Sequence, residues 1–197
     1  AGIYKYGGTA PHEYIISGFD LYFGLWDHDP QGNGGSYGDE YPYHTRAEMQ
    51  AGDRPLFDLV EEFWPEYLTY NAYLDPSFEG TFVMVQDKAV EYTNKSRFLV
   101  DVTLTGDKDT SVSGNDQDNL LTGNVGDNGF TGGAGDDVIA GAAGSDRAFF
   151  AGVASDYRIE TKGAITTITD TVDGRDGTDE LTGIEVLVFH DKEVEIE

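Results

Sequence analysis

Five apolar residues recur at intervals of nine in the second half of the chain. From Thr105 the sequence divides into five consecutive nonapeptides, and the eighth residue of each is apolar. A strict period of this kind predicts a solenoid, in which six residues of turn and three of strand form half a coil and the eighth side chain points inward. The five residues are Val112, Leu121, Phe130, Ile139 and Ala148.

The turns of this solenoid need a source of stability beyond the core. A core one side chain thick buries too little apolar surface to offset the conformational entropy of glycine-rich turns. The sixth residue of each nonapeptide carries a side-chain oxygen, and neighbouring glycines leave turn carbonyls accessible, so together they predict a cage for a hard cation. These sixth residues are Thr110, Asn119, Asn128, Asp137 and Asp146.

The fourth nonapeptide, GlyGlyAlaGlyAspAspValIleAla at 132–140, resembles the hemolysin-type (RTX) calcium-binding repeat G-G-x-G-x-D-x-U-x at every specified position. The resemblance covers residues 105–149. It implies a parallel β-roll with Ca²⁺ held between turns two repeats apart on one side. It also implies export by type I secretion from a Gram-negative bacterium, and hence a secreted, extracellular or cell-surface location.

The same resemblance implies two calcium sites. In the first, the carbonyls of Gly114 and Asp116 and the side chain of Asn119 face the carbonyls of Gly133 and Gly135 and the side chain of Asp137. In the second, the corresponding groups belong to Gly123, Val125, Asn128, Ala142, Gly144 and Asp146.

Departures from the repeat pattern affect the strength of these sites. Asparagine at 119 and 128 leaves one sixth-position carboxylate in each site, so weaker binding is expected. The field of neighbouring acids can compensate. Thr110 and Ala148 fit the pattern poorly, so the outer nonapeptides are interpreted as caps and a third site between Thr110 and Asn128 is disfavoured. The compensating acids are Asp116, Asp118, Asp127 and Asp136.

Charge limits the partners of the chain. Twelve Lys and Arg stand against 37 Asp and Glu, giving a net charge of -25. Nucleic acid and anionic membranes repel such a protein, whereas cations are attracted. There is no cysteine, so any metal must be bound through oxygen or histidine. No apolar run approaches the roughly 20 residues that span a bilayer, so membrane insertion is not expected.

Composition divides the chain near residue 105, because 20 of the 25 aromatic residues precede it. The predicted fold is mainly β. It has an aromatic, β-rich N-terminal domain at 1–104, a parallel β-roll at 105–149 and a β cap at 150–197. In the first domain, strands are predicted at 18–25, 82–85 and 98–105.

One helix is predicted in the N-terminal domain. Asp53 caps it, Pro55 is its second residue, and Pro65 ends or kinks it. A loop is expected at 29–38. The apolar face of the helix is predicted to contain Leu56, Leu59, Val60, Phe63 and Tyr67.

The tail after residue 149 resembles the segment that often follows RTX repeats. Its alternation predicts strands at 157–161, 164–170 and 184–189, which would cover the open end of the roll. Four aspartates in this tail either hold another Ca²⁺ or are solvated, and solvation is the favoured reading. They are Asp170, Asp173, Asp176 and Asp179.

The N-terminal half contains three candidate chemistries, each with a more ordinary alternative. A metal centre at His12, His28 and His44 competes with loop histidines. Carboxylate pairs for glycoside hydrolysis compete with solvated acids. A saccharide-binding or partner-binding aromatic surface competes with an aromatic core. The acid pairs are Asp27 with Asp29 and Glu61 with Glu62, and the aromatic residues are Trp26, Tyr37, Tyr41 and Tyr43.

No established catalytic motif stands in the chain, and without cysteine a thiol nucleophile is excluded. The expected function is that of a secreted, calcium-binding RTX protein whose repeats fold on Ca²⁺. Its role would be in a surface, a matrix or adhesion, with a saccharide, a cell surface or another copy as partner. The alternative is an extracellular metal-dependent hydrolase, or a fragment of one, that carries the repeats as a secretion and folding module.

Overall fold

The computed structural model describes residues 10–23, 42–43, 45–64, 71–85 and 99–196. The chain forms two compact units, Ala1–Leu68 and Thr69–Glu197. This division lies well before residue 105, where the composition changes. The reason is that the strands at 71–103 pair with strands of the repeats, although their sequence has no nine-residue period.

The described part of the first unit is helical. Thr45 caps the second helix by accepting a hydrogen bond from the Glu48 N–H at 3.2 Å. Asp53 caps the third by accepting one from the Leu56 N–H at 3.4 Å, as the sequence predicts. The helices are α1 (Ala10–Tyr22), α2 (Arg46–Gly52) and α3 (Arg54–Phe63).

The predicted strand at 18–25 is wrong over its described residues, because Gly18 to Tyr22 lie in α1. Its apolar run also has helical spacing, with Gly18 and Tyr22 buried one turn apart. Gly18 packs against the Leu56 side chain of α3, and a Cβ there would overlap with it. Contact between two helices therefore decides the structure of a segment whose composition also suits a strand.

The buried face of α3 differs in part from the prediction. Leu56 and Val60 are buried, but the third buried residue is Phe57, whereas Leu59 and Phe63 are exposed. Tyr67 and Pro65 lie outside the described residues, as does the predicted loop at 29–38. The small core of this unit contains Leu21, Tyr22, Phe23, Met49, Leu56, Phe57 and Val60.

The second unit is mainly β and contains two mixed sheets. Strands near 82–85, 98–105, 157–161, 164–170 and 184–189 were predicted, and strands occur in each region. Its strands are β1 (Asn71–Tyr73), β2 (Gly80–Val83), β3 (Asp101–Thr103), β4 (Thr110–Ser113), β5 (Leu120–Thr122), β6 (Gly129–Thr131), β7 (Val138–Ala140), β8 (Arg147–Phe149), β9 (Tyr157–Lys162), β10 (Ile165–Asp170), β11 (Thr178–Thr182), β12 (Val186–Val188) and β13 (Glu193–Glu195).

Successive strands up to β8 alternate between the two sheets. One sheet has the order β1-β3-β5-β7-β11-β10-β9, and the other has the order β13-β12-β8-β6-β4-β2. Pairing is parallel from β1 to β11 in the first sheet and from β2 to β12 in the second. The chain therefore passes from one sheet to the other and back within each coil.

The eighth residues of the nonapeptides line the interior, as predicted, and each is at most 1% exposed. In one sheet Leu121 pairs in register with Ile139, and in the other Val112 pairs with Phe130. The columns continue into both flanking segments, because Val102 pairs with Leu121, and Ile139 pairs with Leu181.

Antiparallel strands lie at the C-terminal side of both sheets. The β9–β10 hairpin adds to β11, and β13 adds to β12. Phe150, Tyr157 and Phe189 pack together in the same core, with ring centroids 5.0 to 5.4 Å apart. The parallel pairing of both sheets therefore ends in antiparallel strands and a cluster of three aromatic rings.

Candidate metal sites

The sixth residues of the five nonapeptides are all buried, and each is at most 3% exposed. Asp137 accepts a hydrogen bond from the Asn119 N–H at 2.8 Å through Oδ1. Asp146 accepts one from the Asn128 N–H at the same distance. The partners are 18 residues apart, so each bond joins neighbouring coils on one side of the stack.

Two carboxylate oxygens in these turns have no partner. Oδ2 of Asp137 and Oδ2 of Asp146 are buried and make no hydrogen bond within the described part of the chain. Oδ2 of Asp137 lies over Gly132, and a Cβ at Gly132 would occupy the same space. A buried charged oxygen without a partner carries a large desolvation cost. The turns of the fourth and fifth nonapeptides, called the fourth and fifth turns below, therefore favour binding of a cation or a proton.

The burial of these acids changes their ionisation. Desolvation raises the pKa of Asp137 to about 7, with further contributions from Asp118 and Asp136. Desolvation likewise raises the pKa of Asp146 to about 6, with a contribution from Glu185. Both shifts have the sign expected for carboxylates buried among other acids.

The second and third turns are built differently, with two asparagines in each. The Asn115 N–H donates to Oδ1 of Asn119, and Nδ2 of Asn119 donates back to Oδ1 of Asn115, both at 2.9 Å. Asn124 and Asn128 form the same reciprocal pair at 2.9 and 3.0 Å. Hydrogen bonds within the turn therefore satisfy the sixth residue here.

Backbone conformation separates the same two groups of turns. In the fourth and fifth turns, the second and fourth residues have positive φ angles: Gly133 at 108°, Gly135 at 117°, Ala142 at 77° and Gly144 at 127°. Ala142 is the single non-glycine residue with positive φ in the described chain. In the second and third turns, the equivalent residues are Asn115, Gln117, Asn124 and Gly126, and none has positive φ.

The fifth residues of the nonapeptides form a second, exposed series of hydrogen bonds that was not predicted from the sequence. Oδ1 of Asp109 accepts from the Asp127 N–H at 2.9 Å, and Oδ1 of Asp118 accepts from the Asp136 N–H at 2.8 Å. Asp127 accepts in the same way from the Ser145 N–H. The signal was an acid at the fifth position in four consecutive nonapeptides.

A sixth nonapeptide follows the insertion at 150–173. It was not predicted, because the insertion breaks the nine-residue period. Residues 174–182 read GlyArgAspGlyThrAspGluLeuThr, with Asp179 in the sixth place and Leu181 in the eighth. Leu181 pairs in parallel with Ile139. The Thr178 N–H donates to Oδ1 of Asp136 at 2.8 Å, which continues the fifth-position series.

Asp179 also continues the sixth-position series. The Asp137 N–H donates to its Oδ1 at 3.0 Å. Asp179 is 2% exposed, and burial, together with the charge of Asp137, raises its pKa to about 8. Two buried carboxyl groups therefore lie in adjacent coils at the junction between the fourth and sixth nonapeptides.

The four aspartates of the tail differ in their surroundings. Asp170 accepts two hydrogen bonds from Arg175, at 2.6 and 2.7 Å. Asp176 accepts from the Tyr157 hydroxyl and from the Ala151 N–H. Asp173 is exposed. These carboxylates do not converge on one point as a calcium site built from all four would require.

Most of the N-terminal candidate residues are not among those that the structure describes. His28 and His44 lie outside the described residues, as do Asp27, Asp29, Trp26, Tyr37 and Tyr41. His12 lies in α1, Glu61 and Glu62 are exposed on α3, and Tyr43 packs against the small helical core. Within the described residues, no helix is long and apolar enough to cross a membrane.

The described residues contain no group of three or more His, Asp or Glu side chains arranged for a metal ion. The predicted calcium ligands are of another kind, since each site combines four carbonyls with two side chains. Comparison with models of protein families gives no match, and comparison with curated proteins gives no significant one.

Proposed function

We propose that this protein is a secreted calcium-binding protein of the RTX type, in which the repeat region is a parallel β-roll that folds on Ca²⁺. The observation that carries the proposal is the pair of buried, unpartnered oxygens at Asp137 and Asp146. Both belong to nonapeptides with glycine at the first and fourth positions, where a side chain would obstruct the turn.

The chemistry of the donors suits calcium. Carboxylate, amide and main-chain carbonyl oxygens are the ligands of a hard cation, and Ca²⁺ accepts more of them, and less regular arrangements, than Mg²⁺ does. The first ion would be held by the turns at 114–119 and 132–137, and the second by the turns at 123–128 and 141–146. Bound calcium would supply the positive charge that compensates the buried carboxylates of Asp137 and Asp146.

Asp179 extends the proposal beyond the five nonapeptides. Its carboxyl group and that of Asp137 are both buried, and the charge of Asp137 contributes to the raised pKa of Asp179. A cation between the turns at 132–137 and 174–179 would have two carboxylates, whereas each of the other two sites has one. This junction is therefore a candidate for the tightest of the three.

Ion binding is coupled to folding in this scheme. The net charge of -25 opposes compaction when calcium is scarce, and ions that bind only the folded coils stabilise them by mass action. Extracellular calcium modules bind at about 10⁻⁴ to 10⁻³ M. Such affinities suit a chain that is exported unfolded and folds outside the cell, in a surface, matrix or adhesive role.

The proposal is tested by elemental analysis of the purified protein together with circular dichroism during calcium titration after chelation. We expect two or more Ca²⁺ per chain, strand signal that appears on titration, and a much weaker response to Mg²⁺. A chelated protein that keeps its full strand signal and does not bind calcium would contradict the proposal. Bound zinc or manganese would instead favour the metal-dependent hydrolase.

A further inference from the structure

Two asparagine side chains bridge neighbouring coils of the second unit. Nδ2 of Asn124 donates to the carbonyls of Thr105 and Lys108, at 3.2 and 3.1 Å. Nδ2 of Asn115 donates to the carbonyl of Leu99 at 2.8 Å. Both asparagines are buried and occupy the second position of their nonapeptides.

The carbonyl of Thr105 has a particular place in the repeat. It belongs to the first position of the first nonapeptide, two repeats before Asn124. The carbonyls of Gly114 and Gly123, at the same position in the next two nonapeptides, are predicted calcium ligands. The Asn124 amide therefore contacts a first-position carbonyl. In the following coils, carbonyls at this same position are predicted to bind a calcium ion.

The second position differs where a cation is proposed. Gly133 and Ala142 occupy it in the fourth and fifth nonapeptides, and neither has a side-chain donor. In these same nonapeptides the sixth residue is an aspartate with an unpartnered oxygen. In the second and third nonapeptides, the sixth residue is an asparagine whose amide pairs with the second.

We propose that the amides of Asn115 and Asn124 take the place of a cation between their coils, so that the residue at the second position decides whether the space is filled by an amide or by an ion. An amide donates two hydrogen bonds to carbonyl oxygens without adding charge, whereas a glycine leaves the carbonyls and the sixth-position carboxylate to a cation. The part of this inference that concerns the cation rests on the proposed function. The part that concerns the asparagine amides, called the amide half below, does not.

The consequence is a stack with two kinds of coil. The coils that contain residues 110–131 are joined to the preceding coils by hydrogen bonds, which keep them folded without calcium even though their turns also contribute ligands to the proposed ions. The coils that contain residues 132–149 and 174–182 require the ion. Because each coil of a solenoid contacts only its neighbours, one end can remain ordered while the other opens.

Hydrogen exchange of the full chain in the presence of a chelator tests the amide half. We expect the amide protons of residues 110–131 to exchange at least roughly 100-fold more slowly than those of residues 132–149. Calcium is then expected to protect the second segment and to change the first little. Rapid exchange throughout 110–131 in chelator would overturn the inference.

A variant designed to gain a calcium site tests whether the residue at the second position selects between an amide and an ion. Asn124→Gly together with Asn128→Asp gives the third nonapeptide the glycine and aspartate positions of the fourth. We expect about one further Ca²⁺ per chain by titration calorimetry, and a third nonapeptide that now needs calcium for protection from exchange. The two single variants are the controls, and neither is expected to add an ion.

The outcomes separate the inference from the proposed function. A folded double variant that binds no more calcium than the wild type would overturn the inference. If the double variant fails to fold, exchange of the wild-type chain in chelator still decides the amide half. A wild-type protein that binds no calcium, yet keeps 110–131 protected in chelator, would overturn the proposed function and leave the amide half standing.

Discussion

At the scale of single residues, Asp137 combines two properties that oppose each other in a protein interior. Its carboxylate accepts a hydrogen bond from the Asn119 N–H, yet its second oxygen has no partner and its pKa is raised to about 7. In the absence of metal, the ionised form therefore destabilises the folded state. A bound cation would reverse this effect, because it compensates the charge that burial disfavours.

Asp137→Asn is expected to have opposite effects with and without calcium. Because the folded-state pKa lies above the unfolded value of about 3.8, the wild type without metal loses stability as the pH rises from 4 through 7. The variant does not titrate, so in chelator at pH 8 it should be more stable than the wild type by about 1–3 kcal/mol. At pH 5 the difference should fall to less than half of its value at pH 8, because the folded-state carboxyl group is then protonated.

In saturating calcium the wild type should be more stable than Asp137→Asn, since the variant lacks the carboxylate ligand. Urea unfolding at pH 5 and pH 8, with chelator and with calcium, measures all four differences. Asp173→Asn removes an exposed aspartate and is the matched control, with expected changes within about 0.5 kcal/mol. A variant that is less stable than the wild type under every condition would show that Asp137 acts only as a hydrogen-bond acceptor.

At the scale of elements, the turns stack so closely that main-chain atoms of successive coils touch. Gly177, the fourth residue of the sixth nonapeptide, lies against the main chain of the neighbouring coil. Its φ is 73°, and a Cβ there would overlap with the carbonyl oxygen of Gly135. This contact joins the turn before β11 to the turn before β7. The period of the repeats is thus maintained across an insertion by the shape of the backbone as well as by side chains.

Gly177→Ala should therefore weaken the junction between the fourth and sixth nonapeptides. Gly163, in the β9–β10 turn, is the matched control: it has a φ of 65°, and a Cβ there would have nothing within 4 Å. Gly163→Ala should cost about 1–2 kcal/mol from backbone strain alone. Gly177→Ala should cost a further ~1–3 kcal/mol from overlap, measured by thermal unfolding in calcium. Equal costs would show that the junction relaxes freely.

At the scale of the whole molecule, the two compact units differ in what orders them. The described part of the first unit has a small helical core, whereas the second has two sheets and a continuous apolar interior. The second unit begins before the repeats. Met84, Leu99, Val102 and Leu104 belong to its core, although all four precede the first nonapeptide.

A fragment of residues 69–197 should therefore fold in calcium, whereas a fragment of 105–197 should be much less stable. The shorter fragment lacks β1, β2 and β3, which exposes the edges of β4 and β5 and removes core residues whose individual loss costs about 2–5 kcal/mol. Thermal unfolding of both fragments in saturating calcium measures the difference. Equal stability would place the boundary at residue 105, as composition alone predicts.

Much of the repeat region could be predicted from the sequence, because local spacing there reports directly on burial. The nine-residue period predicted the inward-facing residues, such as Leu121 and Phe130. It also singled out the sixth positions, such as Asp137, whose burial only the structure shows. The N-cap at Asp53 was predicted for a similar reason, since capping depends on residues within one turn of the helix.

The tertiary structure decided what depends on residues far apart in the chain. It placed residues 18–22 in a helix through contact with α3, and it brought Asp179 beside Asp137 after an insertion that breaks the period. It also turned the amides of Asn115 and Asn124 towards carbonyls of the preceding coil. Periodicity specifies which side chains face inward, but only the stacking of coils determines which groups they meet.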